Sequence, residues 1–248
     1  MYNSFEELRA ECEQCNKCRL GETRTNLVFG VGNPHADVMF VGEGPGENED
    51  LQGEPFVGRS GQLLDRMLLE IGLSRKENIY IANMVKCRPP QNRDPQPDEQ
   101  EVCINWLREQ YKFIRPKIIV CLGRISAQRL ISPDFKVTKQ HGEFIQKGGI
   151  LMMGTFHPAA LLRNPNNKPL ADDDFKKLRM KLDELKEHFI QPIFLRHLHR
   201  GGQPDLIHFI VIVHIPTSFF WDRSPAASRR QVHAPAQDRR FRSQQGTC

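Results

Sequence analysis

The sequence has no apolar stretch long enough to cross a bilayer. Its longest, Leu206 to Ile215, is interrupted by His208 and His214 and stopped by Pro216, well short of the roughly 20 residues a span requires. The opening MYNSFEELRAECEQ carries acids where an export signal needs a positive start followed by an apolar run. Neither G-x-x-x-x-G-K-[ST] nor G-x-G-x-x-G occurs, which argues against a nucleotide cofactor. Lys and Glu are both missing from Gln191 to Cys248, where eight Arg stand against three Asp. That segment therefore carries the whole net charge of +5 and leaves 27 basic and 27 acidic residues in positions 1–190. A neutral body has no global positive field, so any nucleic acid must be held by local clusters.

What is present suits one globular domain with an appendage: 248 residues, 39% hydrophobic and 26% charged. A soluble, cytoplasmic protein in a reducing compartment is expected, its thiols ligands or buried groups rather than disulfides. Four short apolar runs rich in β-branched residues, Asp37–Gly42, Ile79–Asn83, Lys117–Gly123 and Ile150–Phe156, read as strands. Between them Gln62–Ile71 and Asp98–Phe113 have helical spacing, the second behind Pro97 and with acids in its first turn. Strands alternating with helices predict an α/β fold, a three-layer αβα sandwich on a central four-stranded parallel sheet. A last amphipathic helix is expected over about Asp172 to Phe189. The domain is accordingly bounded at 1–189. Residues 190–248 are assigned no fold and are read as a basic tail or, preferably, a stretch translated out of register.

Seven cysteines are spread over the chain, at 12, 15, 18, 87, 103, 121 and 248. Cys15 and Cys18 form a C-x2-C pair, with Cys12 at the same spacing before it, but no second, separate pair exists, as a zinc ribbon would need. An iron–sulfur cluster tolerates one close pair and two distant thiolates such as Cys87 and Cys103. Cys12 is spaced so that it is able to replace Cys15, and Cys121 lies inside an apolar run. On residue types alone, cluster, zinc site and buried thiols stay open.

Four segments carry a resemblance: Gly42-Glu-Gly-Pro-Gly-Glu-Asn-Glu-Asp50, Gly53 to Asp65, Asn83-Met-Val-Lys-Cys-Arg-Pro-Pro90 and His157-Pro-Ala-Ala-Leu-Leu-Arg163. In this order they resemble the family 4 uracil-DNA glycosylases, which hold a [4Fe–4S] cluster. The resemblance runs from about Glu6 to Phe189 and implies cluster ligation by Cys15, Cys18, Cys87 and Cys103.

It also implies roles at the site. Glu43, Gly44 and Glu49 line a uracil pocket, with Glu49 near the C5 edge where thymine has its methyl. Phe56 stacks on the flipped base. Asn83, whose amide complements the N3–H and O4 of uracil, reads it. His157 donates to O2 as charge builds there. Gly44 stands where the best-known branch of the superfamily has a water-activating Asp, so which carboxylate, if either, orients water is left open. Leu161 and Leu162 are candidate wedges, and Arg59, Ser60 and Arg163 candidate phosphate contacts. Only Arg59 to Gln62 separates Gly58 from Leu63, too little for the inserted loop with which a relative traps the abasic sugar, so turnover is expected. The expected activity is monofunctional excision of uracil from single- or double-stranded DNA by a monomer. A non-catalytic nucleic-acid-binding iron–sulfur protein is the rival reading.

Overall fold

A computed structural model describes residues 2–198 of the chain. The chain divides into Met1–His199 and a segment from Arg200 that lies outside the described residues. In order the elements are α1 (Phe5–Glu13), α2 (Leu20–Thr23), β1 (Val31–Gly32), β2 (Val38–Gly42), α3 (Glu47–Gln52), α4 (Arg59–Glu70) and β3 (Ile79–Asn83). Then follow α5 (Pro97–Ile114), β4 (Ile118–Leu122), α6 (Arg124–Leu130), α7 (Val137–Gln140), β5 (Phe144–Lys147), β6 (Ile150–Thr155), α8 (Pro158–Arg163) and α9 (Lys168–Leu198).

The sheet order is β1-β3-β2-β4-β6-β5. Its four central strands are the four apolar runs, and they pair in parallel. These runs are continuously apolar because both faces are covered. Val38, Phe40, Ile79, Ile81, Ile118 and Val120 pack on one side with Leu64, Met67 and Leu68 of α4 and Phe175, Leu178 and Leu182 of α9. Met39, Val41, Tyr80, Ala82, Ile119 and Cys121 pack on the other with Ile104, Leu107 and Ile114 of α5 and Ala127 of α6. The alternation of strand residues between these two cores makes three layers.

Two elements depart from expectation. Among the described residues the sheet has six strands, because β1 and β5 add antiparallel edges. β1 is two residues long and β5 is half exposed, so neither carries a readable apolar period. The final helix begins at Lys168 and continues past Phe189 to Leu198. The rest of the expected tail, 199–248, lies outside the described residues.

Register places the site. Gly42 pairs with Asn83 and Leu122 with Thr155, so the four parallel strands end level at their carboxyl edge, where open α/β sheets bind ligands. Beyond that edge, the N–H groups of Met84 and Val85 bond to the carbonyls of Gly42 and Glu43 at 3.0 and 3.1 Å. Buried Asp174 on α9 accepts from Thr155 Oγ1 at 2.6 Å and lies 2.9 Å from His141 Nδ1, tying α9 to the end of β6 just before His157.

Candidate active site

A cavity of about 600 Å3 opens above the strand ends, lined among others by Glu43, Gly44, Glu49, Phe56, Ser60, Asn83, His157 and Arg163. Asn83 closes its floor. The residue is 1% exposed, and its Oδ1 is buried without a hydrogen-bond partner. A buried amide oxygen left so costs about 1–3 kcal/mol, which a ligand N–H relieves. Gly42 makes this approach possible, since a Cβ there would stand 2.4 Å from Asn83 Oδ1 and 2.7 Å from the Phe56 ring.

Phe56 forms the adjoining wall. Its φ of +55° lies in the left-handed region that a bulky residue avoids, at a cost of order 1–3 kcal/mol. Its ring lies 5.4 Å from the His157 ring at 31°. The turn is held from below by Glu49, whose Oε1 accepts from the N–H groups of Val57 and Gly58 at 2.9 and 3.0 Å and whose Oε2 accepts from Gly46 at 3.1 Å. Both carboxylate oxygens are thus committed to backbone, and Glu49 acts on the cavity by holding the loops that form it.

His157 caps α8, its Nδ1 accepting from the Ala159 N–H at 3.2 Å. Accepting at Nδ1 leaves the ring proton of the neutral imidazole on Nε2, so the side chain is an Nε2–H donor. Burial, with Arg163 nearby, pushes its pKa down to about 4 and keeps it neutral. Glu43 behaves in the opposite sense. Burial, reinforced by the neighbouring carboxylate of Asp94, pushes its carboxyl up to about 7. Asp94 is paired with Arg124, and Arg93 donates to its main-chain oxygen at 3.0 Å. Asp94, Arg93 and Arg124 all line the cavity.

Of the candidate wedges, Leu161 is a correction. It is 2% exposed and part of the core beneath α8, whereas Leu162 is 38% exposed. Successive residues of a helix face directions about 100° apart, so only one of the two packs inward. Arg59 and Arg163 are exposed, and Ser60 is half-buried at the start of α4 on the cavity wall.

A second cavity lies among Cys15, Cys18, Cys87 and Cys103. Three of these sulfurs accept N–H groups: Cys15 from Trp106 Nε1, Cys87 from Arg24 Nη1 and Cys103 from the Lys86 N–H, each at 3.2 Å. Hydrogen bonds of this kind stabilise thiolate and hold a metal ligand in orientation. Cys12 is on α1 in the core, outside this cavity, and Cys121 is buried in β4. Among the described residues no three Cys, His, Asp or Glu groups converge as tightly as a single metal ion requires. The four thiols thus line one small cavity, and three of them already accept an N–H.

The family model of the uracil DNA glycosylase superfamily matches residues 29–183. The chain belongs to that superfamily. It is similar to a type-4 uracil-DNA glycosylase of Sulfurisphaera tokodaii, 45% identical over 185 residues that cover 71% of this chain and 84% of the relative. A type-4 uracil-DNA glycosylase of Archaeoglobus fulgidus is 45% identical over 183 residues, covering 71% and 92%. A type-5 uracil-DNA glycosylase of Pyrobaculum aerophilum is 32% identical over 146 residues, covering 52% and 64%.

In this superfamily member, sequence reading missed the groups that surround the named residues. Asp94 follows a Pro-rich loop and comes to Glu43 only through tertiary folding, with Arg124 from the start of α6. Lys86 was hidden in plain view inside the Asn83–Pro90 motif. Its full burial is the signal that would have marked it, and no sequence pattern carries burial of a lysine.

Proposed function

We propose that this chain is a uracil-DNA glycosylase that removes uracil from DNA and leaves an abasic site. The observation that carries the reading is the buried, unpartnered Oδ1 of Asn83 on the cavity floor. Uracil N3–H supplies the donor it lacks, and the amide Nδ2 has uracil O4 to donate to. Cytosine presents an acceptor and a donor in the reverse order and leaves both amide groups opposed by their own kind.

An extruded uracil lies against Phe56 with its O2 toward His157. As the bond from C1′ to N1 breaks, its electron pair passes to the base and negative charge gathers at O2. The Nε2–H of a neutral His157 stabilises that charge, and a preorganised donor of this type is often worth about 3 kcal/mol. Water then bonds to C1′ and gives up a proton, for which Glu43, with a pKa near neutrality, is the available base on the wall. Gly44 keeps the loop's backbone close to the base, and Glu49 keeps Phe56 in place. Arg59, Ser60 and Arg163 on the rim are the phosphate contacts, with Leu162 filling the gap the base leaves. The substrate is uracil-containing DNA, single- or double-stranded, taken up by a monomer.

Cys15, Cys18, Cys87 and Cys103 hold a [4Fe–4S] cluster. The gathering of the four thiols at one cavity and the three N–H donors aimed at them support this. A bound cluster would tie the segment between α1 and α2, the loop after β3 and α5 together and would supply no reacting group.

A gel assay on an oligonucleotide carrying one uracil tests the function. Cleavage at that position that appears only after alkali is expected, and uracil left in the strand at stoichiometric enzyme overturns it. Iron and sulfide in equal amounts in anaerobically purified brown protein are expected, and colourless protein with one zinc per chain overturns the cluster.

A further inference from the structure

Arg75 lies outside every motif that marks the site, in the connection between α4 and β3. Its side chain is 14% exposed, and all three of its guanidinium nitrogens are engaged. Nη1 bonds to the carbonyl of Pro55 and Nη2 to that of Phe56, both at 2.8 Å, and Nε bonds to Asp65 Oδ1 on α4 at 2.9 Å. The same turn is gripped from its other side by Glu49 through the N–H groups of Val57 and Gly58. Consecutive peptide units from 55 to 58 are therefore held between a cation and an anion. The segment so held contains Phe56 at φ +55°, a conformation its own side chain disfavours and which persists only where the surroundings enforce it. Gly61 completes the seat, because a Cβ there would stand 1.7 Å from the Phe56 carbonyl oxygen.

We infer that Arg75 is a positioning residue for base excision: steered by Asp65, it holds the Pro55–Phe56 turn so that the Phe56 ring stands ready as the wall against which the extruded base stacks. The inference rests on the stacking role of Phe56 stated above. A guanidinium fork reaches two adjacent carbonyls and a carboxylate at once, and an ammonium does not. Arg75→Lys thus keeps the charge opposite Asp65 but loses the hold on the turn.

The test compares Arg75→Lys, Arg75→Ala, Phe56→Ala and the double variant Phe56→Ala/Arg75→Ala in the full chain as purified. Single-turnover excision at saturating enzyme, affinity for duplex carrying an abasic site and thermal unfolding are measured on each. Misplacing a reacting partner by about 1 Å costs up to about a hundredfold, so Arg75→Lys is expected to lose about tenfold or more in rate per folded molecule. Affinity for abasic DNA, which presents no base to stack, is expected to stay within about twofold, and Arg75→Ala in the Phe56→Ala background to cost less than about twofold. If Arg75→Lys lowers only the unfolding temperature, or if Arg75→Ala costs as much without Phe56 as with it, the positioning role is wrong. Should Arg75→Ala fail to fold, Arg75→Lys alone decides between these results. Wild-type excision by Phe56→Ala overturns the stacking reading itself, whereas a slow Phe56→Ala beside a fast Arg75→Lys overturns only the inference.

Discussion

The ammonium of Lys86, 0% exposed, donates to the main-chain oxygen of Asn83 at 3.1 Å and to Gln110 Oε1 at 2.7 Å. The N–H of the same residue donates to Cys103 Sγ at 3.2 Å. Lys86 thus joins Asn83, at the end of β3, to α5, which carries Cys103. Gln110 extends the link, its Nε2 bonding to the carbonyl of Phe29 at 2.8 Å. Lys86→Met leaves two buried oxygens without donors, so a loss of about 2–4 kcal/mol is expected. Chemical denaturation at constant pH measures it, and a loss below about 0.5 kcal/mol shows the network to be dispensable.

Glu43 and His157 give opposite pH signatures. Glu43, at about 7, ionises within the neutral range, whereas His157, at about 4, stays neutral above it. Single-turnover excision should therefore rise with pH through about 7 on one limb, and Glu43→Gln should flatten that limb. A second limb near 6.5, the ordinary value for histidine, would show that His157 is not held neutral.

Stability follows with definite signs. Between 4.5 and about 7 the folded Glu43 keeps a proton that an unfolded chain has lost, so its contribution falls as pH rises through that window. Glu43→Gln should thus be the more stable protein at about pH 8, by roughly 1–3 kcal/mol. For His157 the unfolded chain binds the proton first, so stability is lost as pH falls from 6.5 to about 4. Urea titrations of wild type and variants across this range give both slopes.

Asn83→Ala should lower uracil excision by about a hundredfold or more, since preorganised polar contacts to a reacting base are worth roughly 3 kcal/mol. Asn83→Asp should discriminate less well against cytosine, because a protonated carboxyl presents donor and acceptor in either order. Rates on matched uracil and cytosine oligonucleotides decide this.

The cysteines should separate into two classes. Cys12→Ala removes a small buried group from α1 and should keep the visible absorption of the cluster, costing about 1 kcal/mol. Cys15→Ser removes a thiol from the cavity wall and should lose both the colour expected of the proposed cluster and stability. Loss of iron from Cys12→Ala beside full retention in Cys15→Ser would reverse the assignment, and equal retention would overturn the division into two classes.

Removing residues 199–248 should preserve the excision rate per folded molecule. Every residue placed at either cavity precedes Lys168, and the removed part carries seven of the eight tail arginines. Some affinity at low salt should go with them, since nonspecific phosphate contacts fade as salt rises. Loss of the cluster or of the single-turnover rate on truncation would place the tail within the fold.

Much of this was legible in the chain. A strand buried on both faces is written as an unbroken apolar run, and four such runs with helices between them determined the parallel core. The N-terminal C-x2-C pair and the order of the four motifs pointed to the family, because those residue types are demanded by chemistry rather than by packing. Three matters were decided only in space. Leu161 and Leu162 are indistinguishable as letters, and their exposure depends on how α8 sits over the core. Cys12 and Cys15 are equal by type, and only the packed molecule buries Cys12 fully while leaving Cys15 partly exposed at the second cavity. The companions of the site, Asp94 to Glu43, Arg75 to Phe56 and Lys86 to Asn83, are set by the return of distant or differently buried segments to the strand ends. Local sequence determines which elements form, because propensity and period act over a few residues. Which side chains share a proton, a carbonyl or a thiolate is a property of the packed molecule, since those energies depend on burial and on distances that exist only after folding.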